Sequence, residues 1–271
     1  MIPFTKAHAC GNDFLIVTED AAADHDKVNL TRRLCARTTG IGADGIEFFR
    51  WTGPESGRIR LHNADGSVAE ISGNGTRCVA AWMAETLDSQ PGEVLEISTD
   101  AGVRFCRLDS RHGQTIEVTS GMGVPAFEPK TLTVLDALEV HGMVVSTGNP
   151  HFVIPVKDTQ FKLGHWSWGS VAGEVCTHED FPNQINVEFV HVAGQHEIEI
   201  RIFERGVGPT SSSGTGNSAA ATAAIALGLA KSPLRVVAPG GAQTVAWDGP
   251  GAELLLTGPA ALIARGEAWY K

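Results

Sequence analysis

Two short turns carry the residues best suited to chemistry, Ser72-Gly73-Asn74-Gly75 and Ser213-Gly214-Thr215-Gly216. Each opens an alanine-rich stretch without internal proline, Cys78 to Leu87 and Ser218 to Ala230, and both stretches read as helices. A serine just ahead of such a turn sits at the mouth of a helix N-terminus. Unbonded N–H groups and the helix dipole there favour an anion such as a carboxylate, and glycine lets the backbone approach closely. A single turn of this kind is ordinary helix entry, because serine is a favoured N-cap. The matched pair predicts two reactive side chains facing each other across one anion-binding cavity, the arrangement for moving a proton from one face of a carbon to the other.

The elements that would position these turns occur twice. Cys10-Gly11-Asn12-Asp13-Phe14 has a partner in Thr147-Gly148-Asn149-Pro150-His151, and the run Arg58 to Asn63 answers Ile198 to Arg205. After each helix comes a strand pair, Val94 to Leu108 and Leu234 to Trp247, then a closing strand, Ile116 to Thr119 and Leu254 to Thr257. Short alternating runs with β-branched residues bounded by Gly and Asp are strands. The pattern predicts an α+β protein of two pseudo-symmetric, strand-rich lobes, each a mixed sheet wrapped around one central helix. Gly121, Gly123 and Pro125 mark the boundary between them. Two lobes related by a pseudo-dyad leave a cleft, a favoured place for a ligand.

Length, charge and cysteine usage narrow the class. A chain of 271 residues can bury a sizeable core. A net charge of −10 argues against a nucleic-acid surface, so an anionic ligand must be held by local dipoles. No apolar run approaches a membrane span and no secretion signal precedes the first strand, which predicts a cytoplasmic protein. The five scattered cysteines read as reduced thiols. No metal-ligand spacing is present; His191, His196 and Glu197 lie in an alternating run as surface residues.

The motifs Lys6 to Phe14, Gly40-Ile41-Gly42-Ala43-Asp44-Gly45, Asn63-Ala64-Asp65-Gly66-Ser67 and Ser72 to Cys78 resemble diaminopimelate epimerase. So do Thr147 to His151, Asn186-Val187-Glu188-Phe189-Val190, Glu204 to Gly208 and Ser213 to Gly216. They are collinear and span nearly the whole chain. The resemblance implies an amino-acid racemase or epimerase that uses no cofactor and no metal, acts on a small-molecule amino-acid substrate, and forms a homodimer. It implies lobes of residues 1–120 and 121–261, with 262–271 returning to the first, and an active site between them. Asn63, Asn149, Asn186 and Arg205 match positions that hold the distal end of diaminopimelate. Asn12 and Glu204 match groups near the reacting amino acid, and the amides of Gly73, Asn74, Gly214 and Thr215 match the cradle of its carboxylate. His151 matches a residue supporting the acid/base pair, and Glu204 is counted with it as catalytic.

Each assignment has a plainer alternative. Asn63 and Asn149 precede turn residues and could only stabilise turns. Asn186 stands in a strand pattern, where asparagine is disfavoured. Glu204-Arg205 could be a solvated ion pair and His151 a core histidine. Asp13 and Asp44 read as loop-fixing residues, and Cys78 as core.

The chain departs from the family at the two acid/base positions, where the resemblance implies cysteines and this sequence has Ser72 and Ser213. A thiol titrates near 8.5, and lower at a helix N-terminus, whereas a serine hydroxyl needs a group to take its proton. A gap of about five pKa units corresponds to about 7 kcal/mol. Four readings stay open at this point: a natural serine-based epimerase for LL- and meso-diaminopimelate, an engineered Cys→Ser form that holds substrate, a silent binding protein, and a divergent racemase or lyase for another amino acid.

Overall fold

The computed structural model describes residues 1–135 and 137–270. The chain forms two compact units, Met1–Ser120 together with the segment from Thr257 onward, and Gly121–Leu256.

The first unit begins with β1 (Ile2–Ala9) and β2 (Asn12–Thr18), an antiparallel pair, followed by α1 (Lys27–Cys35). β3 (Gly45–Gly53) runs parallel to β2, and β4 (Ser56–Asn63) antiparallel to β3, with the short β5 (Val68–Ala69) at its edge. Then come α2 (Gly73–Leu87), β6 (Val94–Thr99) parallel to β4, β7 (Gly102–His112) and β8 (Thr115–Gly121). The last strand of the chain pairs with β1 and β8, which closes the strands into a barrel around α2.

The second unit repeats the plan. After β9 (Ala126–Val134), strands β10 (Leu138–Ser146) and β11 (Pro150–Val156) are antiparallel, α3 (Trp168–Cys176) follows, and β12 (Asn186–Gly194) runs parallel to β11. β13 (Glu197–Glu204) carries the edge strand β14 (Gly208–Thr210), α4 (Gly214–Ala226) intervenes, and β15 (Leu234–Ala238) lies parallel to β13 and antiparallel to β16 (Gly241–Ala246). β17 (Leu255–Ala268) is the closing strand.

Both central helices are buried nearly all round inside a cylinder of strands, and the glycines and alanines along them let the sheet approach closely. In α2 every residue from Gly73 to Ala81 is buried, and in α4 the run Gly216 to Ala224 is. Around α2 pack Phe14, Ile16, Phe49, Ile59 and Leu61; around α4 pack Val153, Val190, Ile198, Ile200 and Ile202. These helices begin earlier than the alanine runs suggest, at Gly73 and Gly214, because the Ser-Gly-x-Gly turns form their first turns. Burial of Glu47 and Glu188 within these cores is a consequence of register. Glu47 pairs with Ile16 and Leu61, and Glu188 with Val153 and Ile202, the same place in each sheet.

Two features differ from the sequence reading. The nine-residue helices α1 and α3 pack on the outer faces of the sheets and were not expected. Neither is alanine-rich, and their signals are the caps Asp26 and Ser167. The return to the first unit begins at Thr257 rather than residue 262, because one unbroken strand, β17, carries it. All five cysteines are buried and unbonded to one another. Among the described residues no helix is long and apolar enough to cross a membrane.

The packing at the third position of each central helix makes a direct prediction. A Cβ on Gly75 would collide with the Glu47 carboxylate, and one on Gly216 would meet Glu188 Oε1 at 2.7 Å. Gly75→Ala and Gly216→Ala should each lower the urea-unfolding free energy by about 1–3 kcal/mol. The gain of about 1 kcal/mol that helix propensity alone gives would contradict this packing.

Candidate active site

Each unit presents a serine-capped helix N-terminus. Ser72, in extended backbone, accepts the Gly75 N–H on its Oγ at 3.0 Å, and Ser213 accepts the Gly216 N–H at 3.2 Å. The remaining first-turn N–H groups have no acceptor within the helix. Gly73, Asn74 and Gly214 are buried in these first turns and Thr215 is half-buried.

In the first unit a polar chain leads away from the α2 turn. Arg77, fully buried, donates to Asn74 Oδ1, and Asn74 Nδ2 donates to Asn12 Oδ1 at 3.2 Å. Asn12 Nδ2 in turn donates to Asp44 Oδ2 at 2.6 Å. Arg37 binds Asp13 with both terminal nitrogens, at 2.9 and 2.7 Å, and Asp44 at 2.6 Å. Lys6 adds a contact to Asp13 at 3.0 Å. Burial raises the Asp13 pKa, and the hydrogen bonds from Arg37 and Lys6 outweigh it, holding the carboxyl below its usual range. Asp13 and Asp44 thus fix the loop beside Asn12. Asn63 stands at the end of β4 and donates to Ser67 Oγ at 3.0 Å, within the turn to β5.

The second unit has a polar chain of its own, running from Ser213 into the sheet. Asn149 Nδ2 donates to Thr215 Oγ1 at 3.3 Å, so its oxygen faces His151 and accepts from Nε2–H at 2.9 Å. His151 Nδ1 lies 2.8 Å from Glu188 Oε1, and both side chains are fully buried. Thr215 Oγ1 is 3.4 Å from Ser213 Oγ, so the chain runs from Ser213 to Glu188. Glu204 lies beside Ser213. Burial raises its pKa and the neighbouring Glu188 adds to the rise, while hydrogen bonding from the Ser213 hydroxyl pulls the other way. Asn186 donates to the Pro150 carbonyl at 3.2 Å and accepts the Arg205 N–H at 3.1 Å, fixing the end of β13. The Arg205 side chain is exposed and donates to the Asn183 carbonyl at 3.4 Å.

The first unit therefore gathers Ser72, Gly73, Asn74 and Asn12 in one cluster, with Asn63 in its own turn. The second gathers Ser213, Gly214, Thr215, Asn149, His151 and Glu204, with Asn186 and Arg205 adjoining. The buried carboxylates Glu47 and Glu188 were not singled out from the sequence. The signal was there, a charged residue inside the apolar runs Ile46 to Phe49 and Val187 to Val190. Neither Glu47 oxygen has a hydrogen-bond partner among the described residues, and burial pushes its pKa up to about 8.

The fold is shared with a predicted epimerase of Pseudomonas aeruginosa, at a TM-score of 0.73, 16% identity and full coverage of both chains. Over its sequence the chain is 34% identical to the diaminopimelate epimerase of Pseudomonas entomophila, across 98% of this chain and 99% of that one. It is 35% identical to that of Halothermothrix orenii, across 98% and 97%. The doubled, helix-centred lobes define an isomerase scaffold of the epimerase and racemase class. The chain belongs to the diaminopimelate epimerase family, whose model matches residues 4–128 and 143–263.

The isolated Glu47 carboxyl sets a pH dependence of stability. The unfolded chain releases this proton near 4.5, whereas the folded chain keeps it to about 8. Its contribution is complete at pH values below 4.5 and is lost as pH rises through 8. The unfolding free energy should fall between pH 5 and 8 by on the order of 3 kcal/mol more in the wild type than in Glu47→Gln. Parallel profiles from denaturant titrations would show that the carboxyl is not isolated.

Proposed function

We propose that the two serine-capped turns act on one substrate and interconvert LL- and meso-diaminopimelate by proton transfer at one α-carbon. In this reading the α-carboxylate rests on the first-turn amides of Gly73, Asn74, Gly214 and Thr215, where helix dipoles favour the negative charge. Ser72 serves one face of the carbon and Ser213 the other. Family membership over almost the whole chain supports the substrate, and the doubled turn supports the two-sided transfer.

The observation that carries the reading is Glu204 beside Ser213. A serine hydroxyl can exchange protons with carbon only if a second group takes or supplies its own proton. A half-buried carboxyl with a raised pKa is that group, since efficiency is greatest when the pKa lies near the working pH. His151 holds Asn149 against Thr215 and so fixes the α4 turn. Arg205, exposed and with one carbonyl contact, is suited to the distal carboxylate, with Asn63, Asn149 and Asn186 lining that end. The family resemblance supports a cofactor-free reaction in a homodimer.

The test is α-deuterium incorporation from D₂O into LL-diaminopimelate, followed by NMR. One stereocentre should exchange and invert while the other keeps its proton. Ser213→Ala and Glu204→Gln should each slow this by about 10²-fold or more. Exchange that appears only in the Ser72→Cys, Ser213→Cys double variant would show that the serine form binds without turning over. A double variant inert toward diaminopimelate but binding another amino acid would remove the substrate assignment.

A further inference from the structure

The two half-sites are unequal, and the inequality points to a residue without an assigned role. In the second unit Ser213 has Glu204 at its side. The position of Glu204 at the end of β13 corresponds to Asn63 at the end of β4, since Gly45 pairs with Asn63 in the first sheet and the second repeats the register. An amide at that position cannot take a proton from Ser72. His151, which partners Glu188, corresponds to Phe14, because His151 lies opposite Asn186 and Phe14 opposite Gly45. Glu47 thus stands where Glu188 stands but has no imidazole to bind.

Its geometry directs it toward Ser72 instead. The Glu47 Oε1 atom occupies the space a Cβ on Gly75 would need, and Ser72 Cβ lies 3.2 Å from the same point. The Glu47 carboxyl and the Ser72 side chain therefore flank the same point beside Gly75. The corresponding point at Gly216 has Glu188 Oε1 at 2.7 Å and Ser213 Oγ at 3.3 Å. Glu47 is fully buried, and both its oxygens lack hydrogen-bond partners among the described residues.

We propose that Glu47 is the positioning and proton-holding partner of Ser72, supplying to the α2 turn what Glu204 supplies to the α4 turn. The proposal rests on the two-sided proton transfer described above. Ser72 Oγ takes the α-proton as its own hydroxyl proton passes to the Glu47 carboxylate. The Cα–H bond breaks, its electron pair stays on carbon, and Glu47 ends protonated. Ser213 then delivers its proton to the opposite face and recovers one from Glu204. In the reverse direction Glu47 returns its proton through Ser72, so net charge is conserved both ways.

The surroundings favour such a reservoir. Burial pushes the Glu47 pKa up to about 8, so both protonation forms are accessible near neutrality. The titratable groups packed around it do not compete. On α2, burial holds the Cys78 thiol well above its usual range, and Arg77 turns its guanidinium to Asn74. On β2, Asp13 is bound by Lys6 and Arg37, and on β4, His62 lies against Phe48 in the other core layer.

Two measurements on the full-length protein test this. In the D₂O exchange of LL-diaminopimelate, Glu47→Gln should lower kcat by about 10²-fold with KM unchanged, and Glu47→Asp should restore part of it. The rise in wild-type exchange through the Glu47 titration should vanish in Glu47→Gln. A Glu47→Gln enzyme with the rate and pH profile of the wild type would overturn the proposal. Independently of turnover, difference infrared spectra of wild type against Glu47→Gln report the Glu47 carboxyl band. Its titration midpoint should move in Ser72→Ala, and an unmoved midpoint would also overturn the proposal. If no form of the protein exchanges deuterium, the epimerase reading fails on that result, and the infrared coupling alone decides the role of Glu47.

Discussion

A helix surrounded by strands on every side can meet solvent or ligand only at its ends, and that constraint is what the proposed chemistry rests on. The cylinder around α2 admits small residues along the helix, and its core is completed by Phe14, Phe49 and Leu61 from the sheet. At the N-terminus four N–H groups need acceptors that the helix cannot supply. One is met by the serine cap, and the others form a concentrated donor set suited to a carboxylate. Gly75 and Gly216 bring the backbone of the first turn against a carboxylate from the sheet. The same glycines therefore serve packing and chemistry at once.

Duplication makes this arrangement twofold, and the copies have diverged where it matters. The pairing order of strands is the same in both units, down to the edge strands β5 and β14. At matched positions, however, Phe14 answers His151 and Asn63 answers Glu204. The second unit is consequently rich in hydrogen-bonded acid and base groups, while the first leaves one carboxyl alone among apolar side chains. A buried carboxyl without a partner carries a desolvation penalty that the fold must offset elsewhere. An apolar residue would pack there without that cost, and in the proposed mechanism the carboxyl holds the proton of Ser72.

Much of this was legible in the sequence, for physical reasons specific to each element. The central helices showed themselves because alanine runs and Ser-Gly-x-Gly turns are local signals. The repeat showed because both copies keep their turn residues. By contrast, α1 and α3 are short, amphipathic elements whose only strong marks are the capping residues Asp26 and Ser167. Glu47 and Glu188 were hidden for another reason. A charged residue in a strand usually faces solvent, and only the presence of a helical layer on each face of β3 and β12 buries it. The link between Asn149 and His151 likewise depends on side-chain geometry that spacing alone does not fix.

The proposed function requires both helix N-termini to hold one substrate between two serines. A crystal structure with α-methyl-diaminopimelate, which cannot lose a proton at the methylated carbon, tests it most directly. The account predicts the adjacent carboxylate on the first-turn amides of both α2 and α4, with Ser72 Oγ and Ser213 Oγ on opposite faces of that carbon. A ligand held by the turn of one unit alone, with the other serine remote from the α-carbon, would contradict it.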